Sequence, residues 1–131
     1  MMKTLLPPGW PRPNGYANGL SARGRTIYTA GVVGWDEQED FTSNHLAGQF
    51  AQVLRNIVAI LVEDGAEPGH LVRLTCYVTS IDSYLAATAD IGAAWKEIIG
   101  NHYPAMALVE VVRLVEPQCL VEIEATAVVP E

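Results

Sequence analysis

Residues 101–129, NHYPAMALVEVVRLVEPQCLVEIEATAVV, contain two long apolar runs whose polar exceptions are mostly glutamates. Successive side chains of a β-strand point to opposite faces, so an alternating run predicts a strand with two unlike faces. In the second run Glu122 and Glu124 alternate with valine, isoleucine and alanine. The stretch therefore predicts two strands, over 105–114 and 120–129, joined as a C-terminal hairpin by VEPQ.

The sequence upstream predicts two helices on either side of one further strand. Apolar residues recur at three- and four-residue spacing over 45–63, which is typical of an amphipathic helix, and Thr42 or Ser43 is its predicted N-cap. The strand-like run HLVRLTCYVTSI follows, and a second helix is predicted over 83–99. Gly65 and Gly100 are placed to end the two helices.

The N-terminal region adds two strands to this order. The first thirteen residues hold four of the eight prolines and predict an irregular arm over 1–13. Two β-like runs flank Gly24, which can supply the positive φ of a hairpin turn. Gly31 interrupts the second run and predicts a bulge or a close approach to the backbone. The resulting order, ββαβαββ, predicts a single α+β domain over 1–131, with one mixed sheet and two helices packed on one face.

The sheet face that these helices leave uncovered is expected to be mixed in character. It should carry Glu122 and Glu124, and with them Glu110, among many apolar side chains. Alternation puts Met106 and Leu108 on the same face of their strand as Glu110, so they are expected there too. Such a face is too apolar to be left to solvent, and half of the residues in the chain are hydrophobic. The pattern predicts contact with another subunit.

Composition excludes several classes of function. A net charge of −7 with scattered basic residues argues against a nucleic-acid surface. Cys76 and Cys119 lie in separate apolar stretches without metal-ligand spacing, so they are expected to be reduced, packed thiols, and no metal site is expected. No signal peptide or membrane-spanning run is present, so a cytoplasmic location without a membrane partner is expected.

The residues that could carry chemistry are isolated ones near strand ends. They are Tyr16, Met106 and Glu122; no Ser-His-Asp order, phosphate-binding loop or zinc spacing accompanies them. Considered singly, Glu122 is also compatible with an interface or solvent carboxylate, and Tyr16 with simple packing. His102 precedes Tyr103-Pro104 and fits a loop residue better than a general base.

Taken together, several segments resemble one known family. They are YTAGVVGWD, QFAQVLRNIVAILVEDGA, HLVRLTCYVT and, most specifically, YPAMALVEVVRL with VEIEATAVV. From about residue 15 to residue 129 the chain resembles the YjgF-type Rid family, the reactive intermediate deaminases. The resemblance implies a chorismate-mutase-like homotrimer with small-molecule clefts between subunits. It also implies hydrolysis of small enamines or imines, such as 2-aminoacrylate, to a keto acid and ammonia, without a cofactor.

The resemblance assigns roles to three matching positions. Tyr16 corresponds to a cleft tyrosine that positions the ligand, and Gly31 to a glycine whose backbone approaches it. Glu122 corresponds to the catalytic glutamate that holds and polarises the attacking water.

Three other substrate-binding positions depart from the family pattern. Met106 stands where the family has the arginine that grips the substrate carboxylate, Leu108 where it has a cysteine, and Ala30 where it has a serine. A thioether offers none of the forked donors of a guanidinium. The cleft is therefore expected to be more apolar, with Trp35 or Trp95 nearby, and to prefer a less acidic substrate.

Three alternatives follow from this departure. The chain could be a non-catalytic small-molecule-binding or regulatory trimer, and a ribonuclease activity, a label that some relatives carry, is disfavoured by the acidic charge. The third alternative is that another arginine, Arg12 or Arg113, anchors the ligand instead.

Overall fold

The structure is a computed structural model that describes residues 2–131. The elements along these residues are β1 Met2–Thr4, β2 Leu20–Ala22, β3 Arg25–Tyr28, β4 Val32–Val33, α1 Leu46–Val62, β5 Leu71–Val78, α2 Ile81–Ala86, α3 Thr88–Ile98, β6 Ala105–Glu110 and β7 Val121–Val129. A single 3₁₀ turn, Pro68–His70, leads into β5.

The main sheet is mixed and has five strands. Its order is β3-β7-β5-β6, and β4 also pairs with β7. Strand β6 runs parallel to β5, whereas β7 is antiparallel to β3, β4 and β5. The helices cover one face of this sheet, which confirms the predicted α+β fold class.

The core lies between α1, α3 and the covered face of the sheet. Helix α1 buries its predicted apolar stripe, including Phe50, Leu54 and Ile57. The alternate residues of β7 meet it, and Val121 and Ile123 are fully buried. The period of the helix and the alternation of the strand therefore point to the same interface.

Neither of the two predicted hairpins forms. Strand β2 pairs with β1, and β3 pairs with β7. At Gly24, with φ of 149°, a Cβ would lie 2.8 Å from the carbonyl carbon of Val129, so only glycine fits beside the end of β7. At the C-terminus β5 lies between β6 and β7, because β6 joins the sheet as the parallel neighbour of β5.

The position of β6 also corrects the predicted face of Glu110. This residue lies opposite Val78, which points into the core. The Oε1 atom of Glu110 accepts a hydrogen bond of 2.9 Å from the backbone N–H of Ile81, at the start of α2. Glu110 thus caps a helix on the covered side and does not share the open face with Glu122.

The helix boundaries differ from the predicted ones in two places. The second predicted helix is divided at Ala87, whose φ and ψ of −109° and 9° interrupt the helical run between α2 and α3. The N-cap residues are His45 for α1, without a side-chain cap, and Ser80 for α2, whose hydroxyl accepts from the N–H of Ser83. Ser43, a predicted N-cap, lies before the helix, and its hydroxyl accepts a hydrogen bond from the N–H of the N-cap residue His45.

The N-terminal arm is also less irregular than predicted. Met2–Thr4 form β1, so the prediction of an irregular arm over 1–13 is wrong for these three residues. Met1 lies outside the described residues. In residues 2–131 no helix combines the length and the apolar character needed to cross a membrane.

The expectation of buried, reduced thiols is confirmed. Cys76 and Cys119 are both free and buried. Burial raises the pKa of Cys76 to about 12 and, with smaller contributions from nearby groups, that of Cys119 to about 11. Both side chains therefore pack as small apolar groups in the thiol form.

One buried polar side chain ties α1 to the two loops that flank the sheet. Gln49 is fully buried, and its Nε2 donates to the carbonyl oxygens of Ser43 and Gln118 at 3.1 and 2.9 Å. Its Oε1 accepts from the N–H of Leu120 at 2.8 Å, just before β7. Gln49 thus helps to hold the start of the strand that carries Glu122.

Replacing this side chain should destabilise the fold. Gln49→Leu leaves one N–H and two carbonyl groups without partners, so we expect the free energy of unfolding to fall by about 3 kcal/mol. Urea denaturation measures the change, and the exposed Gln38→Leu serves as the control. Equal losses in the two variants would contradict the assignment.

Candidate functional site

Glu122 and Gly31 lie side by side at the edge where β4 meets β7. Glu122 is partly exposed and pairs with Val33 in the antiparallel ladder. A Cβ on Gly31 would lie 2.8 Å from Cδ and 3.1 Å from Cγ of Glu122. The close approach predicted at Gly31 is therefore confirmed, and the group that approaches is this carboxylate. No larger residue could occupy position 31 without displacing it.

A threonine fixes the backbone on which Ala30 and Gly31 stand. The hydroxyl of Thr29 accepts from the N–H of Ala125 at 2.9 Å and donates to the carbonyl of Ala30 at 2.8 Å. The N–H of Thr29 also donates to the carbonyl of Ala125 at 2.9 Å. These bonds tie the segment to β7, and they leave Ala30 and Gly31 exposed at the surface.

The open sheet face beside Glu122 carries a second carboxylate and a phenol. Tyr77 lies opposite Glu122 in the ladder between β5 and β7, and its hydroxyl donates to Oε1 of Glu124 at 2.5 Å. This hydrogen bond, followed by desolvation and the charges of Glu124 and Glu122, raises the pKa of Tyr77 above its usual value. Glu124 is thus engaged by Tyr77, whereas no hydrogen bond to the Glu122 side chain occurs in the described chain.

A shallow cavity adjoins the other side of the Ala30-Gly31 segment. Its volume is about 410 Å³, and Trp35 lines it together with Asp36 and Glu37. The Trp35 ring is tilted against Phe41, with 5.7 Å between centroids. Trp35 therefore lies close to Ala30 and Gly31, as expected from the sequence.

Met106 and Leu108 do not share the face of Glu122. In the parallel ladder they lie opposite Leu74 and Cys76, both of which are fully buried beneath the helices. Both side chains are partly buried and pack against the core cluster. The expectation that they line the open face is wrong, because it assumed that β6 pairs with β7.

Tyr16 lies near the beginning of β6. Ala17 forms a parallel bridge with Ala105, and its N–H donates to the carbonyl of Pro104 at 3.0 Å. Tyr16 is exposed and lines a cavity of about 460 Å³ together with Arg12. Trp95 lies behind this cavity and stacks on Tyr103, which also lines it.

The predicted site residues thus fall into two groups in one chain. We call Ala30, Gly31 and Glu122 the Glu122 group, and Tyr16, Met106 and Leu108 the Met106 group. Strand β5 separates β7 from β6, so the two groups are roughly 10 Å or more apart at a strand spacing of about 4.8 Å. Glu122 and Met106 also point to opposite faces of the sheet. Within one protomer the two groups therefore do not form a common site.

Large apolar side chains remain exposed next to both groups. Val112 and Val115, in the loop after β6, are 98% and 91% exposed. Tyr28 on β3 and Val109 on the open face of β6 are also exposed. Exposed apolar surface of this kind, at both edges of one sheet, is typical of a protein interface.

Sequence reasoning missed two residues of this site. Thr29 holds the Ala30-Gly31 backbone, and Tyr77 engages Glu124. Thr29 has no signal of its own, because its role depends on the strand that pairs with it. Tyr77 could have been placed on the open face from the alternation of its strand, but not opposite Glu122.

Comparisons with known proteins agree over nearly the whole chain. The family model described as endoribonuclease L-PSP matches residues 11–129. A 2-iminobutanoate/2-iminopropanoate deaminase of Escherichia coli strain K12 is 30% identical over 98% of both chains. A RutC family protein of Pyrococcus abyssi is 31% identical over 89% of both chains.

Solved structures give the same result. The Rid family protein YyfB of Yersinia pestis, whose function is unknown, has a TM-score of 0.83 with 32% identity over 98% of both chains. The YjgF gene product of E. coli has a TM-score of 0.70 with 30% identity, over 96% of this chain and 98% of its own.

Proposed function

The chain belongs to the YjgF/Rid family of endoribonuclease L-PSP domains, and from that premise we propose that it is an enamine/imine deaminase-like hydrolase. Its reaction adds water across the C=N bond of a small reactive intermediate and releases ammonia. The observation that carries the proposal is the Glu122 carboxylate, partly exposed and seated against Gly31. The deaminase activity of the E. coli relative supports the same reaction class.

In the proposed mechanism Glu122 is the catalytic residue. Its carboxylate accepts a proton as the water oxygen forms a bond to the imine carbon, and the C=N π electrons move to nitrogen. The same carboxyl group then returns the proton to nitrogen, which gives a carbinolamine. The carboxylate next transfers the hydroxyl proton of the carbinolamine to its nitrogen, and the C–N bond breaks to leave a carbonyl and ammonia. General base assistance of this kind contributes about 10²–10⁴-fold to a rate.

We further propose that the complete site forms between protomers of a homotrimer. The Glu122 group lies beside β4 and β7, and the Met106 group beside β6, at the opposite edge of the sheet. A head-to-tail ring brings the two unlike edges of neighbouring copies together. The exposed Val112 and Val115 support this arrangement, because a neighbouring copy would cover them.

The substrate is proposed to differ from that of the deaminase relatives. Met106 and Leu108 replace a charged and a polar group of the family pattern with apolar side chains. Losing a paired guanidinium from a cleft costs about 2–5 kcal/mol of carboxylate binding. An imine with a larger apolar body compensates by burying more surface against these residues.

A non-catalytic small-molecule-binding trimer is the second candidate, and the same loss of the family arginine favours it. Ribonuclease activity is not proposed, although the family description contains that word. The chain has eight basic residues against fifteen acidic ones, and an RNA groove requires clustered positive charge.

Ammonia release separates the two candidates. We expect the wild-type protein to release ammonia from imines generated in situ from a panel of amino acids, fastest for those with large apolar side chains. A coupled glutamate dehydrogenase assay measures ammonia, and thermal shift measures binding of the corresponding keto acids. Binding without ammonia release would support the non-catalytic trimer instead.

A further inference from the structure

The cavity beside Tyr16 is built by two segments distant in sequence. Residues from Thr4 to Asn18 form one wall, and residues 101–103 form the other. The Ala17–Ala105 bridge holds the two segments together. A volume of about 460 Å³ lies within the range of small-molecule sites.

The charge of this cavity is opposite to that of the chain. Arg12 lines it and no aspartate or glutamate does, although the chain carries a net charge of −7. Four other surface cavities either include a carboxylate or lack an arginine. Within residues 2–131 the ion pair lies between Arg25 and Asp64 and does not involve Arg12. The Arg12 guanidinium is therefore free to pair with a ligand.

The aromatic wall of the cavity is held in place from behind. Tyr103 stacks on Trp95, with ring centroids 5.9 Å apart and an interplanar angle of 10°. The indole N–H of Trp95 donates to the carbonyl of His102 at 3.0 Å. The His102 ring is fixed as well, because its Nε2 lies 2.6 Å from the carbonyl oxygen of Leu71 and must donate to it.

The remaining walls combine apolar side chains with polar ones, which are Thr4, Asn18 and Asn101. Leu5 and Leu6 line the cavity with the Tyr16 ring, and each of the three is more than one-third exposed in the free chain. A molecule bound here would cover apolar surface that now contacts water. The cavity therefore combines one unpaired cation with aromatic and aliphatic walls, which suits a monocarboxylic acid with an apolar body.

We propose that Arg12 binds the carboxylate of such an acid in this cavity. It thereby takes over the anchoring role that position 106 has lost. Tyr16, which lines this cavity, is also a residue of the proposed cleft. The identification of the acid as the substrate or product therefore rests on the proposed function, whereas binding of the acid does not. Since Arg12 and Met106 are different positions, the carboxylate lies elsewhere in the cleft than an arginine at 106 would hold it.

Titration calorimetry with two acids and their neutral amides tests the proposal. The probes are phenylacetate against phenylacetamide and 4-methylpentanoate against 4-methylpentanamide. We expect the wild-type protein to prefer each acid, and Arg12→Gln to weaken acid binding about tenfold or more while changing amide binding less than twofold. Arg12→Lys, which keeps the charge but not the fork, should retain part of the preference.

Arg113→Gln is the matched control, because Arg113 lines a different cavity that also contains Glu116. Two results would overturn the proposal: acids that bind the wild type no better than their amides, or a loss of acid binding in Arg113→Gln but not in Arg12→Gln. These outcomes are independent of turnover. If the acids bind through Arg12 while no imine is hydrolysed, the proposed reaction fails and the carboxylate site stands.

Discussion

Glu122→Gln is expected to reduce ammonia release by about 10²–10⁴-fold, with no loss of stability. The amide keeps the size and shape of the carboxylate beside Gly31 but cannot accept a proton from the attacking water. The Glu122 side chain is partly exposed, and within the described residues it forms no hydrogen bond. Removing the charge should therefore leave the free energy of unfolding unchanged.

Glu124→Gln provides a control on the same strand and the same face. Glu124 accepts the hydrogen bond of Tyr77, whereas the atoms that a Cβ on Gly31 would meet first belong to Glu122. We expect this variant to keep ammonia release within a few-fold of the wild type, because its carboxylate is already engaged. Steady-state kinetics on both variants, with thermal denaturation as the check on folding, decides the assignment. Equal losses in the two variants would show that only the charge of the open face matters.

The elements that could be predicted from the sequence are those whose apolar residues face the same core. Helix α1 and strands β5 and β7 were predicted because each has an apolar stripe facing the same buried layer. The division at Ala87 escaped prediction, since alanine is an excellent helix former and the interruption arises from local backbone geometry. Strand pairing escaped as well, because alternation fixes the faces of a strand but not its neighbours.

The error in pairing had a direct consequence for the site. Joining β6 to β7 as a hairpin put Met106 on the face of Glu122. The parallel pairing of β6 with β5 moves Met106 to the covered face and two strands away. At Gly31, in contrast, a glycine that interrupts a strand predicted a close approach to the backbone, and the structure shows that Glu122 is the group that approaches. The partner itself could not be predicted, because it depends on the pairing of β4 with β7.

The same error changes which substitution can test the assembly. Leu108→Asp looks like a disruption of a subunit contact when Leu108 is placed on the open face. Since Leu108 packs against the core, an aspartate there would bury a charge and unfold the chain. The proposed trimer is therefore better tested with variants on the exposed surface of β6, or with variants that leave the proposed assembly intact.

Two inactive variants are expected to restore activity when they are mixed. Glu122→Gln removes the catalytic carboxylate, and Tyr16→Glu places a repelling charge in the Met106 group at a residue that is exposed in the free chain. If each site combines Glu122 of one protomer with Tyr16 of its neighbour, a mixed ring contains some sites with both native residues. Random mixing in a cyclic assembly gives such pairs at roughly a quarter of the sites.

Refolding the two variants together from urea, with each refolded alone as the control, measures this effect in the ammonia assay. Exchange of subunits distinguishes a shared site from a site within one protomer. Tyr16 lies beside the first residue of β6, and β5 separates β6 from β7, which carries Glu122; a site within one protomer could never recover both residues by exchange of subunits. A mixture no more active than its components, although a tagged variant co-purifies with the untagged one, would refute the shared site. Recovery near a quarter of the wild-type rate would show that two protomers build each cleft, since the Tyr16→Glu chain can then contribute only its Glu122.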